Sequence, residues 1–243
     1  MAMSTFNSST DSLARQASAG HEFRRGLEES LPVLIGFLPI ALVLGAQAAE
    51  KGFQTFEVPM MAGGNFAGGS EFVAVGLWTS PPHLLLIAAM TLLVNCRHLM
   101  MGAALAPLVR HLPARKIFPS LFLMCDESWA MGLADAKKRG GFSLPYYLGL
   151  SAAMWVTWVV FTTVGAVVGP MIGDLAVFGF DMAFTAIFLV LLRGAWTSFK
   201  AARPWFVSLA VAAPTYLVLP GAWYVASGAT AGLIAAFLLA EKE

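Results

Sequence analysis

From Leu31 to Ala240 the chain is a succession of long apolar runs separated by short polar clusters. Before Leu31 the pattern differs. Residues 1–20 are rich in Ser, Thr and Ala, lack the apolar core of a signal peptide, and read as a flexible tail. Residues 21–30, with His21, Glu22, Arg24, Arg25, Glu28 and Glu29, read as a short polar helix at a membrane surface. The pattern therefore predicts a tail and surface helix over 1–30 and a single transmembrane domain over 31–240. Within that domain, 143–173 and 204–240 carry no charge. The first has the length of one long or tilted helix. The second contains Pro214, Pro220 and Gly221 and suits two helices joined by a tight turn at 219–222. Residues 31–49, with Pro32 and Pro39, form another helix. Residues 83–109 carry one formal charge, Arg97, and 175–199 carry Asp181 and Arg193.

Two segments break the pattern. Residues 57–80 contain Gly63, Gly64, Gly68 and Gly69. Each glycine costs about 1 kcal/mol against alanine inside a helix, so two half-helices meeting near Gly68–Ser70 are expected. Residues 117–135 place Asp126 and Glu127 in the middle of an apolar run. Basic clusters mark cytoplasmic loops: Arg110, Arg115 and Lys116; Lys137, Lys138 and Arg139; Arg193, Lys200 and Arg203. A single crossing at 117–135 would put one cluster outside. The consistent arrangement has 117–135 entering and returning on the cytoplasmic side and 57–80 entering and returning from outside. About six full transmembrane helices remain, with two broken or re-entrant segments and both termini cytoplasmic. Seven or eight crossings, with one basic loop misplaced, are the alternative.

Composition agrees with this all-α polytopic membrane class. Of 243 residues, 58% are hydrophobic and 12% charged, half the roughly 25% of a soluble domain. A spanning helix needs roughly 20 apolar residues, so six to eight crossings fit. A β-barrel would alternate apolar and polar positions. A net charge of +1 offers nucleic acid no basic footprint. The chain carries no Walker A, nucleophile elbow or HExxH pattern. Its cysteines and histidines show no metal spacing. No enzyme activity, cofactor or metal is expected.

The candidate chemistry lies in charges placed within apolar segments. An ionised side chain at the bilayer centre costs about 2.5–3.5 kcal/mol and is usually paired and functional. Glu71, Arg97, Asp126 and Glu127 all sit there. The expectation is that Arg97 pairs with one acid while another carries a proton, as a proton-coupled carrier requires. The alternative for Asp126 and Glu127 is an ion cluster that only locks helices. At the glycine-rich break, Asn65, Gly68, Gly69, Ser70 and Glu71 form a candidate substrate site, because a half-helix N-terminus offers bare N–H groups to a carboxylate. The alternative there is close packing through the GxxxG pair Gly64–Gly68. Gly165–Gly169–Gly173 and Gly228–Gly232 repeat that spacing without polar company and read as packing faces. These two faces also suggest that another protein covers part of the surface. Asn95 and Arg97 join the substrate set. His98, one helix turn from Asn95, is either a proton relay or a hydrogen-bonding strut. Glu71, His98, Asp126 and Glu127 are the proton-coupling candidates. Asp181 is either pore-lining or at a helix end. Trp155, Trp158, Trp196, Trp205 and Trp223 are expected mostly at membrane interfaces, with cavity lining the lesser alternative.

Three motifs, FAGGSEF (66–72), VNCRHLMMGAALAP (94–107) and CDESWAM (125–131), together with the helix LPVLIGFLPIALVLG (31–45), resemble the AzlC/YgaZ family. The resemblance covers about residues 25–240. It implies the large subunit of a bacterial branched-chain amino acid exporter in the inner membrane. The implied substrates are valine, leucine, isoleucine and perhaps methionine, and the implied partner is a small hydrophobic AzlD/YgaH-type subunit. The family commonly carries Gln where this chain has Glu71, a departure that bears on substrate charge and on coupling. On this reading a zwitterionic amino acid places its carboxylate near Ser70 and Arg97. Its ammonium faces Glu71 or the Asp126–Glu127 pair, and its side chain fills a pocket from 31–45 and 143–170. A different amino acid or an amine is an alternative substrate. A channel or membrane scaffold is the alternative class.

Overall fold

The computed structural model describes residues 3–172, 189, 193, 196–219 and 223–239. Asp181, Gly173 and the expected turn residues Pro220 and Gly221 lie outside the described residues. The described residues form helices α1 (Met3–Glu50), α2 (Glu57–Asn65), α3 (Gly69–Gly76), α4 (Leu84–Asn95), α5 (Arg97–Val109), α6 (Ala114–Phe122), α7 (Asp126–Arg139), α8 (Leu144–Ile172), α9 (Arg203–Val218) and α10 (Trp223–Leu239). They contain no strand. α1 begins at Met3 and passes through the region assigned to a tail and surface helix, continuing past Pro32 and Pro39 to Glu50.

Among the described residues, three spans are long and apolar enough to cross a bilayer: Ser18–Glu50, Leu84–Val109 and Leu144–Met171. The second joins α4 and α5 through a single turn at Cys96, whose backbone stays near helical. α10 is a shorter apolar helix. The described residues thus have the all-helical, apolar make-up of a membrane protein.

α1 and α8 form the central pair, and glycine explains their approach. Lipid tails give helices no hydrophobic reason to associate, so close backbone packing through small residues holds them together. A Cβ at Gly45 would collide with the Thr162 carbonyl, and one at Gly165 with the backbone of Leu42. Gly169 meets Ala46 in the same way. Gly228 and Gly232 of α10 face Ser208 of α9, and Gly228 also meets Ala212. The described glycines of both small-residue faces are therefore covered from within the chain. This corrects the expectation that they face another protein. Gly64–Gly68 is not a packing pair either: the two residues lie on opposite sides of a helix break, and a Cβ at Gly64 would meet open space.

Both irregular segments are broken helices. The first break, Phe66–Gly68, falls two residues before the expected one. The second, Leu123–Cys125, places Asp126 and Glu127 in the first turn of a new helix rather than inside a continuous run. Helix α7 then runs on through Lys137, Lys138 and Arg139, so this basic cluster forms its last turn, where cations complement the helix dipole. Arg115 and Lys116 sit in the first turn of α6, the end at which the dipole does not favour cations.

The last turns of α7 are tied to α1 and α8 by ion pairs. Arg25 of α1 makes two bonds to the Asp135 carboxylate, at 2.8 and 3.0 Å, and a third to Glu22 at 2.7 Å. Its guanidinium lies 3.8 Å over the Tyr146 ring of α8. The Tyr146 hydroxyl donates to Glu29, and Arg139 reaches Glu22. Three helices thus share one charge network at this end, which sets the position of α7.

Candidate functional site at the two helix breaks

The first break is a change of backbone hand. Phe66 ends α2 in the left-handed region (φ 43°, ψ 49°), and its N–H donates to Ala62 O at 3.1 Å. A bulky residue there is a rare conformation that persists only where its surroundings enforce it, often at functional sites. Gly68 follows at φ 57°, where a Cβ would be strained. Helix α3 then starts at Gly69. The Glu71 carboxylate reaches back one turn, and its Oε2 accepts the Gly68 N–H at 3.0 Å. The same oxygen accepts the indole N–H of Trp158 at 2.8 Å. Glu71 is fully buried, and its Oε1 has no hydrogen-bond partner among the described residues.

A chain of amides braces the other side of the break. Asn65 Nδ2 donates to Ser70 Oγ at 2.8 Å, linking the end of α2 to the start of α3. Asn95 Nδ2 donates to Asn65 Oδ1 at 3.1 Å, which extends the link to α4. Two indoles of α8 bracket the break: Trp155 donates to Gly63 O of α2 at 3.0 Å, and Trp158 holds Glu71 of α3. These two tryptophans are thus buried or half-buried braces rather than interfacial anchors, and Trp158 meets the lesser alternative of cavity lining.

Arg97 connects the two breaks. Its Nη2 donates to the Ala67 carbonyl in the first break at 2.8 Å, and its Nη1 pairs with Asp126 Oδ2 at the start of α7, also at 2.8 Å. The guanidinium is a planar fork with several donors, and it satisfies a backbone carbonyl within the break itself. Asp126 and Glu127 sit in the first turn of α7, where the helix dipole favours negative charge. The Arg97 and Asp126 side chains are 29% and 39% exposed, so the pair faces open space.

That space is a cavity of about 80 Å³, several times the roughly 10–15 Å³ that one water needs, so it admits a small solute. Phe37 and Ile40 of α1, Phe66 and Phe72 at the first break, and Trp158 of α8 give it an apolar wall. Gly68, Gly69, Arg97, His98, Asp126 and Glu127 give it a polar one. Of the sequence-predicted residues, these six reach the cavity. Asn65, Ser70, Glu71 and Asn95 do not line it and brace the break behind it. His98 Nδ1 lies 3.2 Å from the Asn95 carbonyl. That contact needs the proton on Nδ1, so the strut exists while the ring still borders the cavity. Sequence reasoning missed Phe66, Phe72 and Cys125. No motif marks the left-handed turn at Phe66, because the conformation is imposed by packing.

Comparison with known proteins follows the same boundaries. The family model described as AzlC protein matches residues 32–172, a range that holds every residue lining the cavity. The inner membrane protein YgaZ of Escherichia coli is 27% identical over 149 residues, covering 60% of this chain and 61% of YgaZ. The match therefore spans less than two thirds of that relative's length. The branched-chain amino acid transport protein AzlC of Bacillus subtilis is 28% identical over 184 residues, or 73% of this chain and 69% of that one. An uncharacterized membrane protein of Archaeoglobus fulgidus is 29% identical over 172 residues, or 70% and 74%. No solved structure matches the chain. By the family match across its helical core and both helix breaks, the chain belongs to the AzlC protein family.

Proposed function

We propose that the chain is a secondary transporter that exports branched-chain amino acids by alternating access, with the cavity between the two helix breaks as its substrate site. The observation that carries this reading is Arg97, which touches both breaks at once and borders a small cavity that is apolar on one side and acidic on the other. A zwitterionic amino acid with an aliphatic side chain has matching parts. Its carboxylate competes with Asp126 for the Arg97 guanidinium, a planar donor suited to carboxylates. Its ammonium is left to Asp126 and Glu127, both on the cavity wall. Its side chain lies against Phe37, Ile40 and Trp158. Glu71 is less suited to the ammonium than those two acids, because it is buried and already caps α3.

Substrate entry then exchanges partners at Arg97, and that exchange loosens the tie between the first break and α7. Protons enter through Asp126 or Glu127 and drive efflux. The name of the Bacillus subtilis relative supports the substrate class. The full assembly includes a small hydrophobic AzlD/YgaH-type subunit, with six full crossings, two re-entrant broken segments and both termini cytoplasmic in the bacterial inner membrane.

The test is flux of labelled leucine, valine and isoleucine in proteoliposomes holding the full chain, with and without a co-reconstituted small subunit. Saturable flux that accumulates substrate against its gradient when a pH gradient is imposed supports the reading. Flux that never accumulates substrate identifies a channel, and no flux with either preparation identifies a scaffold.

A further inference from the structure

The apolar wall of the cavity and its polar floor meet at one side chain. Trp158 lies within α8, a helix without a charged residue, and is 4% exposed. A buried indole needs an acceptor for its N–H, and here the acceptor is Glu71 Oε2 at 2.8 Å. The ring packs edge-to-face against Phe37 with centroids 5.7 Å apart. Its outer edge lies 3.8 Å from where a Cβ on Gly68 would stand. The indole therefore touches α1, the first break and the acid that caps α3, and it also lines the cavity. Trp155, on the same face of α8 three residues earlier, makes a similar bond to Gly63 O but does not line the cavity. The molecule thus contains its own control.

We propose that Trp158 is the specificity-determining residue of the cavity: its ring limits the length of the substrate side chain, while its N–H positions Glu71 and the start of α3. This assignment rests on the amino-acid transport reading above. Phe37 and Phe66 continue the wall around the indole, so a smaller residue at 158 opens space in that wall, and it also removes the N–H that Glu71 accepts. In an apolar pocket, one methylene more or less changes discrimination about 10–200-fold. Replacing an indole removes more than one methylene of bulk, so larger side chains should gain and small ones should lose contact.

The experiment measures binding of L-valine, L-leucine and L-phenylalanine to the purified full chain with its co-expressed small subunit, read as ligand-dependent thermal stabilisation. The wild type, Trp158→Phe, Trp158→Leu and Trp155→Phe are compared. The wild type is expected to favour leucine and valine over phenylalanine. Trp158→Leu should raise the phenylalanine-to-valine affinity ratio about tenfold or more, and Trp158→Phe should raise it by a smaller factor. Trp155→Phe should leave the ratio unchanged, whatever it does to the melting temperature. An unchanged ratio in folded Trp158→Phe, or an equal rise in Trp155→Phe, overturns the assignment. If Trp158→Leu does not fold, Trp158→Phe decides. Wild-type protein that binds none of the three amino acids brings down the transport reading and this assignment together. Wild-type binding with an unmoved ratio brings down the assignment alone.

Discussion

Arg97 holds two groups with one guanidinium, and that geometry sets what its replacements should do. Lysine is a single point charge without the planar fork, so it cannot reach both the Ala67 carbonyl and Asp126 in the same way. Arg97→Lys should lower leucine flux by tenfold or more at near-normal expression. Arg97→Ala should abolish flux and reduce the folded amount, because Asp126 then loses its partner. Adding Asp126→Asn should recover the folded amount, read by fluorescence-detected size exclusion, without recovering flux. Glu71 makes a different case. Its Oε2 takes both N–H bonds, and a glutamine oxygen accepts two such bonds as well. Glu71→Gln should therefore keep the melting temperature near that of wild type, whereas Glu71→Ala should cost about 1–3 kcal/mol through the lost cap and the unpaired indole. If Glu71 carries the coupling proton, Glu71→Gln flux becomes independent of the pH gradient. If Asp126 and Glu127 carry it, gradient dependence survives. The charged and amide residues of this cluster were legible in the sequence, because polar side chains within apolar runs stand out. The division between those that line the cavity and those that brace it was not, since it depends on which way each half-helix faces. Phe66 was hidden for another reason: an aromatic residue in a membrane protein is unremarkable until its backbone hand is seen. Trp158 was named only among the tryptophans, with cavity lining as the lesser alternative.

The broken helices were partly readable. Four glycines in seven residues announced the first break, yet its position was set by the left-handed Phe66 rather than by the glycines alone. The second break carries no glycine. Its only sequence sign was the pair of acids, which become intelligible as first-turn residues of α7. The small-residue faces were legible as packing surfaces, but their partners were not, because spacing does not say which helix a face meets. Gly45 and Gly165 now define a contact that can be broken. Leucine at either position should force α1 and α8 apart and sharply reduce the yield of folded protein, while leucine at Gly64, which faces open space, should be tolerated. The network around Arg25 holds the far end of α7. Arg25 and Asp135 side chains are 13% and 7% exposed, so Asp135→Ala leaves a largely buried guanidinium short of two bonds. Glu22 still pairs with Arg25, so the expected loss is roughly 1–3 kcal/mol, read as a lowered melting temperature in detergent.

For the molecule as a whole, hydropathy fixes the class, and charge statistics bear on orientation only through the ends of elements. The basic clusters expected in loops lie largely on helix ends, yet the orientation they imply is unchanged. Cysteines placed at Ala114 and Gly141, in a background lacking Cys96 and Cys125, should both resist labelling from outside. Labelling at one site alone would mean that α6 and α7 together cross the membrane. The central claim is that an amino acid occupies the cavity joined by Arg97, and counterflow tests it most directly. Proteoliposomes preloaded with unlabelled leucine should take up labelled leucine transiently with the wild-type protein and not with Arg97→Ala, at matched amounts of folded protein. Normal counterflow by Arg97→Ala would contradict the account.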